Sequence, residues 1–204
     1  MNYTRQILTI VNHGLGEKYA EVARDSGARG GTVLVGRGSA SALLLRLLSL
    51  SDVERDVLIT LVGNDEYARV WDAIASAPLC GKSSGISYAI PLGGTKMETR
   101  IDHELITVIV NRGYADDVMA AARKAGARGG TIIHARGTGK PDDERFFGVT
   151  IVPEKEQVLI LSETATSQAI RDAISSLPCL VAPGSGIMYT LPVERFTQIG
   201  KGAE

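Results

Sequence analysis

Two copies of one glycine-rich hexapeptide are the first candidates for ligand chemistry in this sequence. The stretch GARGGT stands at Gly27–Thr32 and again at Gly126–Thr131. Glycine allows positive φ and a close approach of the backbone to a ligand, so such a segment can offer N–H groups to a phosphate. The same glycines could instead form only a helix C-cap and a tight turn into a strand. The threonine that ends each copy could direct its hydroxyl into a cleft.

Glycines, arginines and a serine add three further candidate segments. Gly36-Arg37-Gly38 and Arg136-Gly137 follow the two hexapeptides, and their arginines could pair with a phosphate or a carboxylate. A solvated loop or a salt bridge between subunits is the alternative interpretation. Gly184-Ser185-Gly186 could form an anion-binding nest of backbone N–H groups, or a plain turn into the last strand.

The sequence contains no motif for covalent catalysis and no metal-ligand spacing. His13, His103 and His134 have no His, Cys or carboxylate partners at metal-ligand spacing. No serine or cysteine stands in a nucleophile elbow, and no triad is visible. Gly81-Lys82-Ser83 resembles the end of a Walker A loop, but Ser76 replaces the required earlier glycine. We therefore predict neither an enzyme nor a metal site.

The elements that must position these residues are written twice. Val11–Gly14 (VNHG) corresponds to Val110–Gly113 (VNRG), and Val57–Ile59 corresponds to Val158–Ile160. The two copies are offset by 99 residues, from Gly27 to Gly126. An offset of this length indicates a duplicated globular unit, because solenoid repeats are roughly 20–50 residues long. Each copy follows the order strand, helix, strand, strand, helix, strand. The predicted fold class is therefore α+β, a tandem duplication of a ferredoxin-like βαββαβ domain.

The spacing of apolar residues and the positions of turn residues predict the strands and helices of the first copy. In the first copy, a strand at Ile7–Val11 precedes a helix that ends at Gly27, and a strand at Thr32–Val35 follows. The second helix should be capped by Asn64. Its inner face should carry Tyr67, Val70, Trp71 and Ile74.

A hairpin is predicted between the two helices of each copy. In the first, its arms are Leu44–Leu50 and Val57–Val62. In the second, they are Phe146–Val152 and Gln157–Leu161, with a turn at Pro153–Glu156.

Composition excludes some classes of protein. The 204 residues carry a net charge of −1 without a basic block, which argues against a nucleic-acid partner. The N-terminus does not read as a signal peptide, and no apolar run has the length of a membrane span. We expect a cytoplasmic location.

The order of these residues resembles that of the nitrogen-regulatory P-II family. A strand and a helix are followed by GARGGTVLVGRG at Gly27–Gly38 and by GARGGTIIHARG at Gly126–Gly137, where Ala135 replaces one glycine. The segment RFFGVTIVPEKEQVLIL, from Arg145 to Leu161, is similar to the base of that family's long T-loop. The resemblance covers nearly the whole chain, twice.

The resemblance implies a regulatory protein without catalytic residues, cofactor or metal. It places P-II-like domains at 1–95 and 103–204, with a linker at 96–102. P-II proteins are trimers that bind adenine nucleotides in clefts between neighbouring subunits and control transporters, enzymes or regulators through the T-loop. It thus implies a small-molecule effector such as ATP, ADP or AMP, a target protein such as a membrane transporter or an enzyme, and a homotrimer.

The same resemblance adds the segments Cys80–Ile86 and Ala182–Ile187 to the candidate sites. Ile86 and Ile187 stand where the family has the lysine that helps to hold 2-oxoglutarate, and Thr138–Arg145 has no tyrosine to uridylylate. A classical 2-oxoglutarate sensor is therefore not expected. The predicted ligand-binding residues are Thr32, Gly36, Arg37, Gly38, Lys82, Ser84, Gly85, Thr131, Arg136, Gly137, Gly184, Ser185 and Gly186.

Two alternatives to an effector-binding regulator stay open. One is a structural, trimer-forming module with degenerate sites, which the missing lysine favours. The other is an enzyme or metal-handling protein on the same frame, since a fold does not determine a function.

Overall fold

The structure is a computed structural model, and it describes residues 3–39, 52–79, 85–93, 102–137, 145–146, 149–150, 154–181 and 185–200. The first repeat contains strands β1 (Arg5–Asn12), β2 (Gly31–Ser39), β3 (Asp52–Val62) and β4 (Gly85–Pro91), with helices α1 (Gly16–Asp25) and α2 (Asn64–Ser76). The second contains β5 (His103–Asn111), β6 (Gly130–Arg136), β7 (Arg145–Phe146), β8 (Val149–Thr150), β9 (Glu154–Glu163), β10 (Gly186–Val193) and β11 (Arg195–Ile199), with helices α3 (Ala115–Lys124), α4 (Thr164–Ser175) and α5 (Pro178–Val181).

The chain forms two compact units that interleave along the sequence. Unit 1 comprises Met1–Arg37, Val53–Glu104 and Leu191–Glu204, and unit 2 comprises Gly38–Asp52 and Leu105–Thr190. The α+β class and the repeated βαββαβ order are confirmed. The division into domains at 1–95, 96–102 and 103–204 stays a prediction about the duplicated segments.

Unit 1 is a sheet covered on one face by α1 and α2. Its strands lie in the order β2-β3-β1-β4-β11, and β1 pairs antiparallel with both β3 and β4. The core forms where the sheet meets the helices, from Ile7, Val11, Tyr19, Ala23, Leu58, Val70, Trp71 and Ile74 among others. The predicted inner face of α2 is confirmed, because its four residues are all buried.

Unit 2 repeats this plan with an aliphatic core. Its strands lie in the order β10-β5-β9-β6, and β6 pairs antiparallel with β9. The core includes Ile106, Val108 and Val110 of β5, Val118 and Met119 of α3, Ile132 of β6, Val158 and Ile160 of β9, and Ile170 and Ile174 of α4.

The predicted hairpins are confirmed only in their second arms, since Val57–Val62 lies in β3 and Gln157–Leu161 lies in β9. In unit 2, β9 already begins at Glu154 and pairs with β6, while Arg145–Phe146 pairs with Val149–Thr150. The predicted turn Pro153–Glu156 therefore lies partly in a strand, since pairing with β6 extends along Glu154–Leu159. In unit 1, β3 begins at Asp52, and the predicted arm Leu44–Leu50 lies outside the described residues.

The cap predicted for α2 is also different. Gly63 occupies the N-cap position, and its N–H donates to Glu66 Oε1 at 2.9 Å. Asn64 is the first helical residue, and its Oδ1 accepts hydrogen bonds from Thr4 Oγ1 (2.9 Å) and Arg5 Nη1 (2.7 Å). Its side chain therefore anchors the start of β1 to α2 rather than capping the helix.

The sequence analysis missed the last strand. β11 pairs antiparallel with β4, with Phe196 opposite Tyr88, and it belongs to unit 1. Glu194, immediately before β11, accepts two hydrogen bonds from the Arg5 guanidinium, at 2.7 and 2.9 Å. Both side chains are only 3% exposed. The strand RFTQI has five residues, of which only Phe196 and Ile199 are large and apolar, and so short a segment shows little periodicity.

Candidate functional site

The first glycine of each hexapeptide ends a helix. Gly27 has φ 110° and Gly126 has φ 106°, in the region that favours glycine. After α1, Gly27 N–H donates to Arg24 O (2.9 Å) and Ala28 N–H donates to Ala23 O (2.9 Å). The corresponding bonds recur after α3, so both ends are Schellman motifs. The helix-cap interpretation of these two glycines is confirmed.

The other glycines of the hexapeptide differ in what surrounds them. A Cβ on Gly31 would lie 2.7 Å from Leu58 Cδ1, and one on Gly130 would lie 2.7 Å from Met119 Sδ, so packing requires both. A Cβ on Gly30 would meet no atom within 4 Å. Gly30 is thus a position of the motif for which helix capping and packing give no reason.

The two hexapeptide threonines have different environments. Thr32 is exposed at the start of β2, whereas Thr131 is 6% exposed within β6. The repeats are therefore not equivalent at this position.

The candidates after the hexapeptides lie in strands rather than in loops. Gly36, Arg37 and Gly38 belong to β2, and Gly36 is buried there. Arg136 ends β6 and is exposed, and Gly137 follows it.

The glycines that begin β4 and β10 have a packing role. A Cβ on Gly85 would lie 2.8 Å from Ile10 O, and one on Gly186 would lie 2.8 Å from Ile109 O. Each glycine therefore lets its strand approach the neighbouring backbone. Ser185 is half-buried. Lys82, Ser84 and Gly184 lie outside the described residues, and a ligand role for the whole predicted set stays a prediction.

A buried carboxylate in β3 was missed by the sequence analysis. Asp56 of β3 accepts hydrogen bonds through Oδ2 from Gly14 N–H (2.8 Å) and Gly16 N–H (2.9 Å), and its Oδ1 lies 2.8 Å from His13 Nδ1. It thereby satisfies N–H groups at the start of α1, whose N-cap residue Leu15 makes no side-chain cap. We call the contacts of His13, Gly14 and Gly16 with Asp56 the unit 1 clasp.

Unit 2 contains the matching arrangement. Glu156 Oε2 accepts hydrogen bonds from Gly113 N–H (2.9 Å) and Ala115 N–H (3.2 Å), and these contacts are the unit 2 clasp. Because Asp56 matches Glu156, Val57 matches Gln157. The predicted correspondence of Val57–Ile59 with Val158–Ile160 is therefore displaced by one residue. The available signal was the acidic pair in VERD and EKEQ, two residues apart in each.

Asp56 is held in its charged form. Burial alone would raise the pKa of this carboxyl, but the hydrogen bonds from Gly16, His13 and Gly14 outweigh burial and lower it. A charged carboxylate at the positive end of a helix is the favourable arrangement.

A shallow cleft of about 460 Å³ lies in unit 1 between α2 and β11. Its lining includes Trp71, Asp72, Arg195 and Phe196, and the Arg195 guanidinium lies over the Trp71 ring at 5.0 Å. The residues predicted to bind ligand do not line this cleft.

The described ranges lack both a metal-ligand cluster and a membrane-spanning helix. Within them, no group of three or more His, Cys, Asp or Glu side chains could hold a metal ion. Nor do those ranges contain a helix that is long and apolar enough to cross a membrane.

Comparison with known proteins identifies a family for the second repeat. Residues 103–203 match the family model described as Nitrogen regulatory protein P-II. No curated protein matches the chain in sequence.

Two solved structures are similar to the chain at low identity. The P-II protein of Arabidopsis thaliana, bound to citrate, is 20% identical over 46% of this chain and 77% of its own, with a TM-score of 0.35. An unknown protein from Galdieria sulphuraria is 13% identical over 94% of this chain and 99% of its own, with a TM-score of 0.32.

Proposed function

Because this chain is a P-II-like protein, we propose that it is a regulatory protein that binds a small effector and controls a target protein. The observation that carries the proposal is the match of residues 103–203 to the P-II model. The hexapeptide GARGGT of that repeat occurs again at Gly27–Thr32, which supports the same kind of unit in the first repeat. An adenine nucleotide is the first candidate effector.

The effector is proposed to bind at the predicted ligand-binding residues other than the buried Thr131, with Thr32 and Arg37 as contacts in the first repeat. The exposure of Thr32 supports this assignment. In the second repeat, Arg136 is the exposed candidate. The segments after β2 and β6 would contact the target protein, a membrane transporter or an enzyme in this proposal. The assembly would be a homotrimer, and light scattering in solution tests it.

Calorimetry with ATP, ADP, AMP and a cyclic nucleotide tests the proposed function. A ligand present at about a hundred times its dissociation constant should stabilise the folded protein by roughly 2.7 kcal/mol, so thermal unfolding supplies an independent readout. If none of these nucleotides binds or shifts unfolding, the adenine-nucleotide proposal is wrong.

The two threonines form a matched pair of variants for this test. We expect Thr32→Val to weaken nucleotide binding about fivefold, because it removes one hydrogen bond worth roughly 1 kcal/mol. Thr131→Val should leave the affinity unchanged, since Thr131 is buried within unit 2. Equal losses in both variants, measured by calorimetry, would contradict the assignment of Thr32.

One observation favours the structural, trimer-forming module as a second candidate function. Gly27, Gly31 and Gly85 each have a conformational or packing role that requires no ligand. That candidate predicts a trimer that binds none of the nucleotides, whereas the regulatory proposal predicts binding. Nucleotide hydrolysis that is lost in Lys82→Ala would support an enzyme instead.

A further inference from the structure

The turn between β1 and α1 is hydrogen-bonded to residues 54–56 of β3, and its equivalent in unit 2 is hydrogen-bonded to residues 154–156 of β9. Besides the clasps, His13 N–H donates to Glu54 O at 3.3 Å, and Arg112 N–H donates to Glu154 O at 3.0 Å. The asparagines that precede His13 and Arg112 are also bound in the same way. Asn12 Oδ1 accepts a hydrogen bond from Arg55 Nη1, and Asn111 Oδ1 accepts one from Lys155 Nζ. The two turns are therefore built on one plan.

They differ in the residue that follows the asparagine. In unit 1 it is His13, whose ring bonds Asp56, the same carboxylate that accepts the N–H groups of the turn. In unit 2 it is Arg112, which pairs with Glu154, while Glu156 accepts the N–H groups of the turn and has His134 Nδ1 at 4.0 Å from its Oε1. An arginine stays protonated at any pH at which the protein is folded, whereas a histidine can lose its proton near neutrality.

We propose that the strength of the unit 1 clasp depends on the protonation of His13. Protonated His13 stabilises the contact of the β1–α1 turn with β3, and loss of that proton weakens the hydrogen bonds between the turn and Asp56. In the unit 2 clasp the side chain that corresponds to His13 is Arg112, which keeps its charge through the neutral range. The two copies thus differ in whether the side chain that follows the asparagine can lose its proton near neutrality.

The groups around His13 account for the direction of the response. Asp56 lies 2.8 Å from Nδ1, and Glu54, also on β3, lies 3.8 Å from Nε2. Arg55, between them on β3, is hydrogen-bonded to Asn12. The charged residues in the first turn of α1 are Glu17 and Lys18, and both are exposed. The positive end of α1 opposes a cation at His13, but the two carboxylates outweigh it.

Protonation strengthens the clasp because a charge-assisted hydrogen bond is stronger than a neutral one. The hydrogen bond to Asp56, with the charge of the same carboxylate, raises the pKa of His13 above its ordinary 6.5. The added stabilisation is therefore fully present below pH 6.5 and is lost as the pH rises through the raised value. The lowered pKa of Asp56 keeps that carboxylate charged throughout this window.

The experiment is an amide hydrogen-exchange and NMR titration of the full-length protein from about pH 5 to about pH 8, where histidine changes charge. It uses the His134→Gln background, because His134 Nδ1 lies 4.0 Å from Glu156 Oε1 and the substitution removes a histidine that contacts the unit 2 clasp. The protection factors of Gly14 and Gly16, corrected for intrinsic exchange, should fall several-fold as His13 loses its proton. Those of Gly113 and Ala115 should stay constant.

Adding His13→Gln provides the matched control, since glutamine keeps a donor without a titrating charge. In that variant the Gly14 and Gly16 protection should no longer depend on pH, while the rest of the spectrum should stay dispersed. The proposal is overturned if the pH dependence persists in His13→Gln. It is also overturned if the Gly14 and Gly16 resonances shift with pH while their protection stays flat, because the charge would then act without changing the strength of the clasp.

Discussion

At the scale of single residues, the hexapeptide combines positions with different physical roles. Gly126 needs its positive φ to close a Schellman motif, and a Cβ there would meet no atom within 4 Å. We therefore expect Gly126→Ala to cost roughly 1 to 2 kcal/mol through backbone conformation alone. Urea unfolding monitored by circular dichroism measures this loss.

Gly30→Ala is the control within the same motif. Gly30 has open space around its Cα and no positive φ. The substitution should be neutral, or stabilise by up to about 1 kcal/mol by restricting the unfolded chain. If both variants lose the same stability, the conformational account of Gly126 is wrong.

Single residues also show what the sequence could predict. Gly27 and Gly126 were recognisable as helix ends because their role depends on local backbone geometry. Asp56 was not recognisable, because its hydrogen-bond partners Gly14 and Gly16 are distant in sequence and meet it only in the folded sheet. Thr32 and Thr131 end identical hexapeptides but differ in burial, which the hexapeptide itself does not determine.

At the scale of elements, the strands and helices with strong apolar periodicity were predictable and β11 was not. The stripe of α2 and the runs in β1 and β5 bury whole faces, so their patterns survive in the sequence. Strand β11 is held by pairing with β4 and by the contact of Glu194 with Arg5. Neither contact leaves a periodic pattern.

The contact that anchors β11 predicts a large effect for one substitution. Glu194→Gln removes the countercharge from a buried arginine, and breaking such a pair typically costs about 3 to 5 kcal/mol. Arg5 also donates to Asn64, so we expect about 3 kcal/mol in chemical denaturation. Glu154→Gln is the control. It breaks the pair with Arg112, whose side chains are both 61% exposed, and should change stability little. Similar effects in the two variants would contradict the burial argument.

At the scale of the whole molecule, the compact units do not follow the order of the chain. Unit 1 includes Leu191–Glu204, so the first repeat is completed by the last strand of the sequence. Ile199 of β11 is 1% exposed and belongs to the unit 1 core. The duplication visible in the sequence therefore does not define two segments that can be separated.

This interleaving predicts the behaviour of a fragment that ends at residue 102. Residues 1–102 retain β1, α1, β2, β3, α2 and β4, yet they lack Glu194 and Ile199. Arg5 then loses its carboxylate partner and the core loses an aliphatic side chain, which together cost about 3 kcal/mol or more of a typical 5 to 15 kcal/mol. We expect the fragment to unfold at clearly lower urea concentration than the full chain, or to aggregate. The full-length Glu194→Gln variant is the reference for this measurement. If the fragment is as stable as that variant, the countercharge accounts for the whole contribution of β11. If the fragment is less stable, strand pairing and Ile199 account for the difference.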